Sequence, residues 1–430
     1  LSRAAGIQFR DLFGGTEGAR ATVDMRGFGA VGVQNTLILV NGRRLNDIDI
    51  AAVEFINIPL ESIERVEIIR GNSAAVLYGD GAVGGAINIV TRPGAVFSRA
   101  AADAAVGSYG LAEANLSVVR ASLGWSVGVD ANATTAGGYR VNSELRQRGI
   151  VADVRRFAPG GEWFLRTTID DQHLGLPGAR RVTAATSELA TEPRGAATPN
   201  DYAAQVGHRT VLGMSRTLAG GGELVIDGGF RVKAQDSVIV SPFGPAFDTT
   251  TNTRLSMLSF TPRVRSGAGI AGIDYIYSDY DQIARSGTGD DPLHRYDLKQ
   301  HSLALYGQNT FSLRPATDLS AGVRIQQVRF VGGDVLDPGA VVTFLGVPFD
   351  GHRESERHGD TAWAAHLGLD HGLGGGLVAF GRLGRSFRAP TVDERVLSSA
   401  SYNSFRLRTQ TSWDAEAGLR WRSARVDAQA

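Results

Sequence analysis

Cysteine is absent from this 430-residue chain, so disulfides are excluded. Lysine is nearly absent as well. Lys233 and Lys299 are the only two, and every other basic residue is an arginine. That bias reads as a habit of the genome, with provision for anionic ligands as the alternative. Charge of one sign is also lacking, because 44 basic residues face 44 acidic ones, and no positive field favours nucleic acid as a partner. No run approaches the ~18 apolar residues of a transmembrane helix. The N-terminus lacks the basic-then-apolar pattern of a signal peptide. A helical membrane protein is therefore excluded. A membrane barrel is not, because its strands alternate in polarity and leave the mean hydropathy near zero, as it is here.

Glycine, by contrast, is abundant at 55 residues. It is concentrated in ESIERVEIIRGNSAAVLYGDGAVGGAINIVT at 61 to 91. Gly79-Asp80-Gly81-Ala82-Val83-Gly84 matches G-x-G-x-x-G, the phosphate cradle of dinucleotide-binding enzymes. The context argues against that chemistry, because the fingerprint needs a buried strand before it and a helix after it. Asn72 to Tyr78 offers at most one helical turn, and Ala86 to Thr91 is strand-like. The alternative is that these glycines let backbone lie close to backbone or adopt φ > 0. A soluble nucleotide-binding enzyme stays as the reading from another class.

From about residue 96 onward, apolar and polar side chains alternate in runs of about ten. Leu224, Ile226, Phe230 and Val232 share one face, with Glu223, Asp227, Arg231 and Lys233 on the other. Trp413, Ala415, Ala417, Leu419 and Trp421 likewise oppose Ser412, Asp414, Glu416 and Arg420. A soluble sandwich would alternate too, so the connections decide. Long polar loops near 175 to 204, 237 to 253, 286 to 295, 332 to 360 and 389 to 411 take turns with tight connections at Ala219 to Gly222, Ser266 to Gly269, Pro315 to Asp318 and Leu373 to Gly376. Antiparallel neighbours then carry all long loops at one end and all tight turns at the other, as outer-membrane barrels do. Trp413 and Trp421, eight residues apart on one face, are separated by roughly 20 Å along the membrane normal, enough to serve both aromatic girdles. The count comes to about fourteen strands, with a fifteenth beginning at Arg425. An open sheet leaves its edge amides unpaired in lipid, so a fragment of a larger barrel is expected.

Four stretches carry a family likeness in order: TVDMRGFG at 22 to 29, QNTLILVNGRRL at 34 to 45, IPLESIERVEIIRGNSAAVLYG at 58 to 79 and GAVGGAINIVTR at 81 to 92. Later pieces agree with them: Leu174 to Gly178, LALYGQNTFSL at 303 to 313, SFRAPTVDE at 386 to 394 and TSWDAEAGLRW at 411 to 421. Together they resemble TonB-dependent outer-membrane receptors, in which a plug domain sits inside a β-barrel. The resemblance implies a mainly β fold: an α+β plug at 1–94 inside an antiparallel transmembrane barrel at 95–430, with about 14 to 15 of roughly 22 strands present. It also implies that the signal peptide, the TonB box and the first plug strand would precede Leu1, and that the last third of the barrel would follow Ala430. Such a piece would neither energise nor seal a membrane.

The implied activity is uptake of a scarce nutrient across the outer membrane of a Gram-negative bacterium, without catalysis or a cofactor. The implied partners are TonB, ExbB and ExbD, outer-membrane lipid and a small ligand, with the receptor acting as a monomer. Because a wide barrel needs its lumen filled and lumen-facing residues are polar, a wet polar plug–barrel interface is expected rather than an apolar core. Family plug arginines pair with barrel glutamates, and the matching positions are Arg26, Arg70 and Glu416. The local alternative pairs Arg70 with Glu67 or Glu64.

A ferric siderophore is the expected ligand, held by arginines and aromatics. The candidates are Arg180, Arg181, Phe243, Phe247, Tyr402 and Phe405 from loops, with Arg43, Arg44 and Tyr78 from the plug. Cobalamin is the runner-up, and haem or an oligosaccharide stands behind it. Haem is disfavoured because no histidine lies between Pro390 and Trp413. The eight histidines form no H-x-x-x-H cluster that would suggest a metal site.

Overall fold

The structure, a computed structural model, describes residues 6–10, 21–29, 32–53, 55, 58, 62–92, 98–183, 187–241, 244–287, 291–344, 346–348, 350–396, 404–422 and 427–429. The expected division between 94 and 95 lies outside them.

The N-terminal part begins with β1 (Ile7–Arg10), β2 (Thr22–Met25), α1 (Gly32–Asn35), β3 (Thr36–Val40) and β4 (Arg43–Arg44), and continues with β5 (Ile63–Arg70), α2 (Ala74–Tyr78) and β6 (Gly85–Thr91). β1 and β2 form a hairpin-like pair, and the other four strands make a sheet ordered β4-β3-β6-β5. β3 and β6 run parallel; β5 and β6 run antiparallel. Val23, Met25, Ile38, Ile87 and Ile89 form the core beneath that sheet.

The glycine-rich turn is used for backbone packing. Gly79 ends α2 with φ 76° and ψ −139°, a conformation that glycine adopts freely and residues with a Cβ avoid. A Cβ on Gly84 would stand 2.9 Å from the Met25 carbonyl oxygen and 3.1 Å from that of Asn35. The element that follows is strand β6, paired on both sides, so no helix N-terminus faces the turn.

The remaining strands form one meander: β7 (Arg99–Val106), β8 (Ala112–Ser122), β9 (Trp125–Ala136), β10 (Leu145–Ala158), β11 (Gly161–Gly175), β12 (Tyr202–Thr217), β13 (Glu223–Ile239), β14 (Thr249–Phe260), β15 (Arg263–Ser266), β16 (Gly269–Ser286), β17 (His294–Arg314) and β18 (Thr317–Leu336). A single helical turn, α3 (Glu188–Thr191), lies in the long loop between β11 and β12. A small hairpin, β19 (Thr343–Phe344) with β20 (Val347–Pro348), stands in the loop after β18. The meander then continues through β21 (Glu356–Gly374), β22 (Leu377–Arg388), β23 (Gln410–Arg422) and β24 (Asp427–Gln429). All neighbours are antiparallel in a 16-stranded sheet with β7 at one edge and β24 at the other. β14 and β15 are two halves of one crossing. Phe260 pairs with Gly228 and Arg263 with Val225, so the register runs straight through Pro262, which has no N–H to donate.

Side chains alternate as the pattern requires. Leu303, Leu305, Ile325, Leu383 and Leu419 are exposed on the outer face, while Asp227, Lys233, Arg324 and Gln326 are buried on the inner one. Trp413 and Trp421 are 70% and 43% exposed, on the outer face with the apolar belt. Trp125, Trp163 and Trp421 all lie at the tight-turn end, where an interfacial girdle belongs.

The interior is not wholly polar. Ala74, Ala75 and Val76 of α2 pack with Ala362, Ala364 and Phe387 of the wall in one apolar cluster. This corrects the expectation of a purely polar interface. Small side chains on both surfaces let a helix approach a strand closely, and Gly322 helps, since a Cβ there would stand 3.0 Å from Val76 Cγ1.

Candidate functional site

The surface where the N-terminal domain meets the inner wall is the candidate site. Arg26 leaves β2 in the left-handed region, with φ 70°. Its guanidinium donates to Asp414 at 3.0 Å and to Glu416 at 3.4 Å, two carboxylates on the same face of β23. Asn72 joins them, its backbone N–H donating to Asp414 at 3.3 Å. Its side-chain amide reaches the carbonyls of Gly384 and Ser412, both at 3.4 Å, and accepts from Ser386 Oγ at 2.9 Å. Gly71 makes room, because a Cβ there would stand 2.7 Å from Arg26 Nη2. Arg70 lines the adjoining cavity, about 270 Å³, with Asp414 and Glu416. The local carboxylates Glu64 and Glu67 are held by Arg65, at 3.0 and 2.7 Å.

Further along the chain, Arg43 donates to Asp227 on β13 at 3.0 Å and lies over the Phe164 ring at 4.9 Å. Asp227 also accepts from Arg263 at 2.8 Å. Arg44 is bound to Asp80, whose carboxylate accepts the Ala389 N–H at 2.6 Å. The loop after β4 carries Asp47 and Asp49 onto Arg231 and Lys233. Lys233, only 1% exposed, stands 2.9 Å from Asp47 and 2.6 Å from Asp49. Burial alone would raise the Asp47 carboxyl, but Arg231 and Lys233 outweigh it and hold it below the usual range. Beyond β22, the short helix α4 (Val392–Val396) closes over this loop, with Val392 N–H donating to Ile48 O at 2.9 Å and Asp393 accepting the Ile50 N–H at 2.8 Å. Burial first, and then the neighbouring Asp49, push the Asp393 carboxyl up to about 6.

The other candidates are scattered. Tyr78 lines a cavity of about 690 Å³ that runs toward the tight-turn end past Glu223 and Arg265. Arg180 is tied into its own loop, donating to the carbonyls of Glu188 and Glu192 at 2.9 and 3.0 Å, with its side chain 7% exposed. Arg181 is exposed beside it. Phe405 is fully buried against Phe330, ring centroids 5.8 Å apart, so it braces the loop and presents no ring to the lumen. Phe247 is half-buried on a 3-10 turn. Phe243 and Tyr402 lie outside the described residues.

Sequence reasoning missed Asp414, Asn72, Lys233 and Asp227 as partners of the plug. Asp414 was within reach, since it shares the lumen face of β23 with Glu416. Lys233 had a signal too, as one of two lysines, placed on the polar side of its strand.

A barrel-type sheet with an apolar outer belt, whose lumen holds its own N-terminal domain through ion pairs, defines a plugged outer-membrane barrel. Family comparison is specific. Residues 1–86 match the TonB-dependent Receptor Plug Domain, and residues 119–430 match the TonB dependent receptor-like, beta-barrel family. The chain belongs to the TonB-dependent receptors. In sequence it is similar to the Vitamin B12 transporter BtuB of Photobacterium profundum, 38% identical over 91 residues, which are 21% of this chain and 14% of that protein. In structure it is similar to the ferric yersiniabactin uptake receptor FyuA from Yersinia pestis, with TM-score 0.77 and 15% identity, covering 98% of this chain and 66% of that one. It is also similar to the ferric citrate transporter FecA in its unliganded form, with TM-score 0.74 and 14% identity, covering 97% and 63%. The chain thus spans about two thirds of the solved receptors it matches.

Proposed function

We propose that this chain supplies the plug and the adjoining barrel wall of a receptor that takes up a scarce nutrient across the outer membrane in a TonB-dependent manner. The observation that carries this reading is the seam itself. The plug is joined to the wall mainly by polar contacts, through Arg26, Arg43, Asp47, Asp49 and Asn72, with one small apolar patch at α2. Such a domain can fill a lumen and still move within it. In this reading TonB, with ExbB and ExbD, acts on the N-terminal side, the outer belt sits in lipid, and the receptor works as a monomer.

The ligand we propose is a ferric siderophore. An anionic or polar chelate suits an interior supplied almost entirely with arginine for its positive charge. Cobalamin is the second reading, supported by the likeness of one stretch of the chain to B12 transporters. Growth of a deletion strain on defined iron chelates, or on cobalamin, with and without working TonB, tests both. Loss of growth on iron chelates alone is expected. Unchanged uptake of every iron chelate and of cobalamin would refute the ligand class, and uptake that persists without TonB would refute the mechanism.

A further inference from the structure

We propose that the seam between plug and wall holds a binding site for one oxyanion, a carboxylate or phosphate group, centred on Arg209. Arg209 lies on the inner face of β12 and is registered directly opposite Arg231 on β13. Like charges placed opposite each other across a ladder repel. The surrounding cations are already engaged: Arg231 with Asp47 and, at 3.0 Å, the Leu45 carbonyl; Arg43 with Asp227; and Arg155 with Asp153 at 2.7 Å. Arg166 stands 3.8 Å from that same Asp153. Arg209 differs from all of them. Its Nη2 is fully shielded from solvent with no hydrogen-bond partner, and no carboxylate lies within ion-pairing distance of it among the described residues. Asp170, on the same cavity, accepts from Gln205 at 3.3 Å.

A guanidinium nitrogen shielded from water with no acceptor costs free energy, and an anion that accepts from it removes the cost. The space fits one. Arg43, Arg155, Arg166, Arg209 and Arg231 converge on a cavity of about 60 Å³, roughly four water-sized volumes, enough for a single planar or tetrahedral oxyanion. Arg43, Arg155, Arg209 and Arg231 also line the larger 690 Å³ cavity, so the site has an entrance. The forked donors of arginine match carboxylate and phosphate in bidentate geometry. The site fills whether or not the receptor transports anything, so it does not rest on the uptake reading.

Titration calorimetry on the purified receptor in detergent, at constant ionic strength, tests this with inorganic phosphate and with citrate as separate probes. One equivalent of at least one probe is expected to bind. Affinity should fall at least tenfold in Arg209→Gln and stay unchanged in Arg216→Gln, an exposed arginine near the tight-turn end. Tighter phosphate identifies a free inorganic anion and tighter citrate an organic carboxylate; both support the site. Should Arg209→Gln fail to fold, Arg209→Lys serves, with the charge kept, the fork lost and binding weakened by severalfold. Absence of saturable binding by either probe, or equal affinity in the wild type and the Arg209 variants, overturns the proposal.

Discussion

Lys233→Met is the sharpest test of how the plug is held. The methionine has nearly the length of lysine and leaves the packing intact, so the loss is of charge. Asp47 keeps Arg231, whereas Asp49 loses the cation 2.6 Å away and has no other within ion-pairing distance among the described residues. Removing one partner of a buried pair costs ~3–5 kcal/mol. The lower end applies here because only one of the two carboxylates is stranded. Roughly 3 kcal/mol, at about 1.4 kcal/mol per tenfold change, is about two orders of magnitude in the equilibrium between docked and open loop. Two amides report on that equilibrium, Val392 N–H bonded to Ile48 O and Ile50 N–H bonded to Asp393. Their hydrogen-exchange protection is expected to drop by about a hundredfold, while amides of the β17–β18 ladder keep theirs. Adding Asp49→Asn to Lys233→Met should restore most of the loss by removing the stranded charge. Protection of both amides within twofold of wild type in the single variant would refute the reasoning.

Asp414→Ala removes one acceptor of Arg26 and the acceptor of the Asn72 N–H; the pair is partly exposed, so about 1–2 kcal/mol is expected, read as roughly tenfold faster exchange at Asn72. Gly85→Ala forces φ 138° on an L side chain and drives a Cβ into the Ile69 carbonyl oxygen. More than ~2 kcal/mol of plug stability should be lost, seen as rapid proteolysis within residues 21–92. Gly29→Ala, with nothing within 4 Å of its Cβ, should cost only about 1 kcal/mol of backbone strain. Asp393 gives a pH signature with a defined sign. Its carboxyl titrates near 6 when α4 is docked, above the ~3.9 of a free aspartate. The docked state therefore holds the proton more tightly, and docking weakens as pH rises from about 4 to about 6, then levels off. Ile50 exchange corrected for intrinsic rate should show that slope, and Asp393→Asn should abolish it.

The architecture was legible because its signals are local. Alternation at period two marks each crossing and its outward side, and loop length marks the end of the barrel. The glycines at 79 to 85 could be told from a nucleotide cradle by Ile87, Ile89 and Val90 alone, which demand a strand. Pairings across the seam are different in kind. Arg26 meets Asp414 across 388 residues of chain, a relation set by how deep the plug sits, which no local pattern encodes. Phe405 and Arg180 show the opposite error. An aromatic or a cation in a long loop looks available to a ligand, yet Phe405 is consumed by packing against Phe330, and Arg180 by the carbonyls of Glu188 in α3 and of Glu192 just beyond it.

The polar anchors of the plug follow one another along the chain, from Arg26 through Arg43, Asp47 and Asp49 to Asn72 and Asp80, and they meet the wall at four places: Asp414, shared by Arg26 and Asn72; Asp227; Arg231 with Lys233, shared by Asp47 and Asp49; and the Ala389 N–H. A tension applied at the N-terminal end would reach these places one after another, so the peak force is that of one place and not of their sum. The alanine-rich face of α2 lies late in that order. It is the ratchet stop at which a partly drawn plug would pause. A plug drawn that far would already have given up β3, β4 and β5, and of its central sheet β6 alone would lie behind the stop.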